Sequence, residues 1–180
     1  MRVSFSLLSL SLILIVLVYT VGCVFAYLYP MAYSEQIILY AEKYNVESAL
    51  IASVINTESN FAEDAVSNKG AIGLMQIMPS TAKWVASSLG KDYKEEYLLD
   101  AEYNIEIGTY YISYLEKYFG NEELALCAYN AGQGNVKSWL SDKEYSKDGK
   151  TLDKIPYQET ENYLNKVFKN YHYYKISINN

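Results

Sequence analysis

From Val3 to Tyr29 the chain carries no charged side chain, and Leu, Ile, Val, Phe and Tyr dominate. The central part, Leu7 to Phe25, has about the length a helix needs to cross a bilayer, roughly 20 residues. A secretory signal has a shorter apolar stretch, about 7–15 residues, so length favours a helix that stays in the membrane. Arg2 and the amino terminus would remain in the cytoplasm and the rest would be exported. Two other outcomes fit the same residues. Cleavage after Ala26 would use Val24-Phe25-Ala26, and Cys23, following Thr20-Val21-Gly22, offers a site for lipid attachment. All three put the folded part outside the cytoplasm.

Charge narrows the partners. Of the 15 basic residues only Arg2 precedes Glu35, and all 21 acidic residues lie from Glu35 onward. An acidic domain does not suit nucleic acid, which needs clustered Lys and Arg. Anionic lipid or wall polymer would attract it little. Binding to a large polymer would rest on hydrogen bonds, stacking and shape. The 20 tyrosines suit core edges, and some suit a sugar groove, since the ring offers an apolar face and the hydroxyl a polar rim. Cys23 and Cys127 form no framework, and no CxxC or Cys/His cluster suggests zinc. The sole histidine, His172, stands near the C-terminus without ligand-like neighbours, which disfavours Ser–His–Asp and Cys–His catalysis.

Past a connector at Tyr27–Tyr33, helical periodicity dominates and strand alternation is scarce. Helices are expected from Glu35 to Tyr44 behind Ser34 as N-cap, and from Val46 to Thr57. Others run from Pro79 to Leu89 with Gly90 as stop, from Asp100 to Phe119 before Gly120, and from Glu122 to Tyr129. After a turn at Ala131–Gly134 come Asn135–Leu140 and a last helix from Pro156 toward His172. Ser59–Gly70 and Ser141–Lys154 read as loops, with a turn at Asp148-Gly149. The fold class is mostly α, and the roughly 145 exported residues can bury one core.

One acid ends an apolar stripe. Ile51, Val54, Ile55 and Glu58 fall three, four and three apart and share a helical face. A carboxyl beside apolar groups loses hydration when ionised, which favours its protonated form and suits general-acid work. Taken alone, such a Glu more often points to solvent. Ser59 could orient the carboxyl or cap the turn. In Gly70-Ala71-Ile72-Gly73-Leu74-Met75-Gln76 the two glycines allow tight turns, Met75 a soft apolar contact, and Gln76 amide groups for sugar hydroxyls or an N-acetyl group. Ala128-Tyr129-Asn130-Ala131-Gly132 pairs a ring and an amide at a helix end.

Together these pieces resemble the soluble lytic transglycosylase (SLT) catalytic domain, within the lysozyme-like superfamily that includes goose-type lysozyme. The matching residues are Glu58-Ser59, the run Ser67 to Pro79, Ala128 to Gly132, and more weakly Ile155 to Thr160 with Tyr163. The resemblance spans about Tyr33 to Tyr173, and Leu140 to Ile155 matches least. It implies a lysozyme-like helical domain over residues 33–175, and the apolar segment over 1–29 precedes this domain as membrane anchor or signal. It implies Glu58 as catalytic residue. Ser59, Ser67, Gly73, Met75, Gln76, Tyr129, Asn130 and Glu159 are then the expected substrate-binding residues. The implied substrate is the glycan strand of peptidoglycan, with no metal and no cofactor.

Ordinary glycosidases use two carboxylates, and Glu63, Asp64, Asp100 and Glu159 are available as a second. The family mechanism uses one. Protonated Glu58 would release the leaving oxygen between N-acetylmuramic acid and N-acetylglucosamine, helped by the substrate's own N-acetyl oxygen. The carboxylate would then take the proton of the muramyl C6 hydroxyl, which closes onto C1 as a 1,6-anhydro product. A hydrolase of the goose-type lysozyme kind, a non-catalytic glycan-binding module and a purely structural domain are the competing readings.

Overall fold

The computed structural model describes residues 2–178, with side chains from Ser9 onward. It divides into two compact units, Met1–Met31 and Ala32–Asn180.

The first unit is a single helix, α1 (Arg2–Leu28). Its stretch Ser9–Leu28 is 20 residues long and apolar enough to cross a membrane. At 1.5 Å per residue it spans about 30 Å, the thickness of a hydrocarbon core. The side chains of Leu10, Ile13 and Leu17 are all more than half exposed. This apolar N-terminal helix is consistent with membrane association. The expectation about the amino terminus and the charge of Arg2 falls outside the described residues and side chains.

The second unit is built from helices α2 (Ser34–Tyr44), α3 (Ser48–Ser59), α4 (Pro79–Ser88), α5 (Ala101–Phe119), α6 (Glu122–Ala131), α7 (Gln133–Ser141) and α8 (Gln158–Ile178). A 3-10 helix, Glu95–Leu99, precedes α5. Among the described residues there is no strand, only isolated bridges joining Val66 to Ile72 and Ile72 to Ile77.

Local chemistry explains most boundaries. Pro79 opens α4, where its missing N–H costs nothing. The Asp100 carboxylate accepts from the Tyr103 N–H at 2.8 Å and caps α5. Asn121 caps α6 through Leu124 at 2.9 Å. Several starts differ from expectation. Tyr33, with φ 61°, occupies the cap position of α2, so Ser34 is the first helical residue and supplies no side-chain cap. The next helix begins at Ser48, after the extended residue Glu47. Gly132 alone separates α6 from α7, so the expected four-residue turn is shorter. The last helix starts two residues beyond Pro156 and continues past His172 to Ile178. The Ser141–Lys154 region is fastened by Asp148, whose carboxylate accepts from the N–H groups of Lys150 and Thr151. Those bonds hold its pKa down at about 2.

The core is organised around α3. Every residue from Ala49 to Ile55 is buried, as expected of a helix covered on all sides rather than along one stripe. It packs against α8 and α2, while α5 packs against α2, α4 and α6. Apart from its first residue, Ser48, α3 emerges partly from cover only in its C-terminal turn, residues 56–59. Glu58 lies there, so the fold hides one end of the helix and opens the other.

Candidate active site

Glu58 faces a cavity of about 340 Å³ lined also by Ser67, Asn68, Lys69, Ala71, Gln76, Met78, Tyr129, Asn130 and Glu159. Four separate stretches of chain meet here. The structure thus gathers Glu58, Ser67, Gln76, Tyr129, Asn130 and Glu159 around one space. Ser59, Gly73 and Met75 are not among the lining residues.

Those three build the wall behind the cavity. The Ser59 hydroxyl donates to the Leu74 carbonyl at 2.8 Å and to Ile55 at 3.2 Å. It ties the 70–76 turn to α3 instead of touching the Glu58 carboxyl, because an unpaired carbonyl at the fully buried Leu74 would be costly. Gly73 has φ 78°, and a Cβ there would lie 2.2 Å from Asn104 Nδ2 and 2.3 Å from the Leu98 carbonyl oxygen. Met75 is fully buried. Gly108 of α5 makes room for it, since a Cβ at 108 would stand 2.4 Å from its sulfur.

Asn104 holds this turn together and is invisible to motif reading. Its Oδ1 accepts from the Met75 N–H at 2.8 Å, and its Nδ2 donates to the carbonyls of Ile72 at 2.9 Å and Leu98 at 2.8 Å. The side chain is fully buried and satisfies three backbone groups that lack helical partners. The Met75 carbonyl in turn accepts from the Tyr129 hydroxyl at 2.7 Å, which fixes that ring at the cavity wall.

Gln76 sits in the left-handed region, with φ 48°. Its Nε2 donates to Ala65 at 3.0 Å and Gly73 at 2.9 Å. The amide donors therefore close the loop, and the amide oxygen is the group left for a ligand. Asn130 is oriented differently. Its Oδ1 accepts from the Thr160 hydroxyl at 2.8 Å, which leaves the NH2 as its donor. The two amides thus offer opposite functions, an acceptor at 76 and a donor at 130. Thr160, buried on α8, stands in the weakly matching run of the sequence, which gave it no role as a positioning residue.

Among the acids around this cavity, the electrostatics mark Glu58. Burial raises its pKa to about 7, and the charge of Glu159 adds to the rise, while the Tyr163 hydroxyl opposes it. The Tyr163 oxygen makes no regular hydrogen bond to protein among the described residues, yet its influence on Glu58 exceeds that of the Glu159 charge. The hydroxyls of Tyr129 and Tyr163 are pushed well above the usual tyrosine value, by burial first and then by Glu58. Both stay protonated near neutral pH. Of the other acids weighed from sequence, Glu63 accepts from Tyr33 and Asp100 caps α5. Glu63, Asp64 and Asp100 do not line the cavity. Glu159 does, but its side chain is 71% exposed and paired with Lys69 at 3.2 Å. A mostly helical domain that holds a carboxyl with a pKa raised to about 7 beside amide and hydroxyl groups is equipped for acid–base chemistry on a polar substrate.

Comparison with known proteins carries this further. The chain belongs to the Transglycosylase SLT domain family, whose profile matches residues 35–152. It is 34% identical over 151 residues to the soluble lytic murein transglycosylase of Salmonella typhimurium, covering 82% of this chain and 23% of that protein. It is 38% identical over 123 residues to the membrane-bound lytic murein transglycosylase C of Edwardsiella ictaluri, covering 62% and 34%. Among solved structures it is similar to an inactive Glu-to-Gln mutant of lytic transglycosylase Slt from Pseudomonas aeruginosa. There the TM-score is 0.74 at 33% identity, with 84% of this chain and 25% of that one covered. The chain therefore spans about a quarter of the length of the soluble relatives it matches.

Proposed function

We propose that this chain is a peptidoglycan lytic transglycosylase with Glu58 as its single acid/base. The observation that carries the reading is a carboxyl with a pKa of about 7 in a cleft where Gln76 and Asn130 present complementary amide groups. Near neutral pH both protonation states of Glu58 are accessible, so the same group serves as donor and then as acceptor. In the first step the Glu58 proton passes to the glycosidic oxygen between N-acetylmuramic acid and N-acetylglucosamine as the C1–O bond breaks. The substrate's N-acetyl oxygen stabilises the positive charge at C1. In the second step the Glu58 carboxylate takes the C6 hydroxyl proton while that oxygen bonds to C1, which closes the 1,6-anhydro ring and restores the acid.

In this reading Ser67, Gln76, Tyr129, Asn130 and Glu159 contact the sugars, and Ser59, Gly73 and Met75 hold the wall. The relatives' names, lytic murein transglycosylases soluble and membrane-bound, support the activity. The inactive Glu-to-Gln mutant among the structural neighbours supports the importance of a glutamate in that protein. The domains would be an anchor over residues 1–29 and a catalytic domain over 33–175. Helix α1 would be that anchor, with one pass and the cleft facing the wall.

Product analysis tests the reaction. Detergent-solubilised full chain incubated with purified sacculi is expected to release fragments with 1,6-anhydro ends, seen by mass as the loss of one water per cut. Reducing ends would assign the hydrolase instead, and no release at all would leave only a glycan-binding module.

A further inference from the structure

The aromatic contacts that begin at Tyr129 leave the Glu58 cavity along α5. Tyr129 meets Tyr111 at 5.5 Å, Tyr111 stacks on Tyr114 at 6.4 Å, and Tyr114 meets Tyr118 at 6.0 Å. Tyr118 lines a further cavity of about 620 Å³, set among the end of α5, the start of α6, the later turns of α7 and the 149–151 turn. Its chemistry differs from that of the rest of the domain. Lys137 and Lys150 line it and no acid does, although the chain has 21 acidic residues against 15 basic ones. Among the described residues neither lysine is in an ion pair. Lys137 Nζ lies 5.9 Å from the centre of the Tyr118 ring.

The turn that carries Lys150 is held from within. The Asp148 carboxylate accepts from the N–H groups of Lys150 and Thr151 and from the Thr151 hydroxyl. The Gly149 N–H donates at 2.9 Å to the hydroxyl of Ser146, which is buried. The neighbouring carboxylate is therefore engaged by its own turn, and the Lys150 ammonium is left without a partner. Glu122, beside the cap of α6, bears on Glu116 instead. Phe119 and Leu124 give the cavity apolar surface, and Tyr118 is 45% exposed. Leu140 to Ile155 is also the stretch least like the family, so Lys150 stands where the family pattern prescribes nothing.

We propose that this cavity binds a carboxylate of a peptide stem carried by the glycan strand, with Lys137 and Lys150 as its charge partners and the Tyr118 ring against the stem. The proposal rests on reading the Glu58 cavity as the glycan-cleaving site. Charge and surface select the occupant. Two ammonium groups without carboxylate partners gain from an anion through charge-assisted hydrogen bonds, and a neutral sugar offers them nothing comparable. A phosphate polymer would use the cations and leave the aromatic and leucine surface idle, whereas a peptide uses both. Reach is sufficient. The cavity begins three ring contacts beyond Tyr129, and an extended stem covers about 3.3–3.6 Å per residue. The consequence is selectivity for strands whose stem carboxyls are free rather than amidated.

Calorimetry on the full-length Glu58→Gln variant in detergent tests this. The variant is titrated with glycan strands bearing free stem carboxyls, with the same strands after amidation, and with stem-free strands. Free-carboxyl strands should bind about tenfold more tightly than amidated ones at low salt, and less selectively at high salt. Adding Lys137→Gln and Lys150→Gln together should abolish the difference, and Lys137→Arg with Lys150→Arg should keep it. In the Glu58-intact chain, the paired Lys→Gln substitutions should raise KM more on free-carboxyl strands than on stem-free ones, with anhydro products still formed. A parent chain with no preference for free carboxyls overturns the site, as does a preference that survives the loss of both lysines. Lysine-dependent binding of a glycerol-phosphate polymer, tighter than that of the strands, overturns it in favour of a phosphate occupant. A lysine-dependent preference in a protein that never cleaves the wall supports the site and sinks the catalytic reading instead.

Discussion

Glu58 and Glu106 are two carboxyls on core helices with opposite fates. Glu106, on α5, is only 1% exposed, yet its pKa lies below the usual value. Burial pushes it up, but hydrogen bonds from Lys43, Lys91 and Tyr44 outweigh burial. The Lys43 and Tyr44 bonds measure 2.7 and 2.8 Å. Glu58 keeps part of its surface exposed, but no cation is among the groups acting on it, and burial raises its pKa to about 7. Burial pushes both carboxyls up, and the supply of cations decides which of them is brought down again. Glu116 marks the limit of that rule. Burial, then the nearby Glu122 and Glu47 charges, also raise it to about 7. It does not line the Glu58 cavity, so a raised pKa does not by itself mark a site.

The sharpest way to break the contrast is Glu58→Gln. The amide keeps the shape and loses the transferable proton, so turnover should fall by about 10³-fold or more while glycan binding persists. Full activity would remove Glu58 from the mechanism. The same variant reports stability with a defined sign. The folded pKa of about 7 exceeds the unfolded carboxyl value, so the wild type loses stability as pH rises between the two and carries the whole cost above pH 7. Gln never ionises, so the variant should be more stable than wild type at pH 8, by up to about 3 kcal/mol, and gain little at pH 4. Urea unfolding at both pH values checks this.

Glu106→Gln tests the other half and should have a smaller effect. It leaves two lysines facing a neutral amide, but their side chains are 51% and 37% exposed and can turn to water. The loss at pH 7 should be about 2 kcal/mol, with activity per folded molecule retained. Because the Glu106 pKa is depressed, its contribution exists above the unfolded carboxyl value and vanishes as pH falls through the folded one. The gap between variant and wild type should therefore close on acidification. Equal stability at pH 7 would mean that the lysine pairs contribute nothing.

The sequence made some of this legible and hid the rest for physical reasons. Pro79 and Gly120 act locally, so the edges of α4 and α5 could be read directly. Glu58 was visible because periodicity and the Gly73–Gln76 turn point to it together. Asn104 was not, since its bonds reach Met75 and Ile72, 29 and 32 residues away. Thr160 meets Asn130 across 30 residues. Helix Glu95–Leu99 is too short to show a period. Residue type also misled. A serine next to the catalytic candidate suggests ligand contact, and the backbone claims its hydroxyl. A glutamine suggests donors, and its own loop consumes them.

The smallest expected effect probes the edge of the Glu58 cavity. Lys69 and Glu159 pair at 3.2 Å with side chains 78% and 71% exposed. Such a pair contributes about 0–1 kcal/mol, so Lys69→Ala should leave stability unchanged. It should still alter the reaction, because the Glu159 charge is one of the causes that raise Glu58. Without the lysine that charge is less compensated, and the alkaline limb of the pH–rate profile should move upward by a fraction of a pH unit. Glu159→Gln should move it downward, and both displacements should shrink in high salt, where exposed charges are screened. A downward move for Lys69→Ala would mean that the lysine acts on the substrate rather than on the acid.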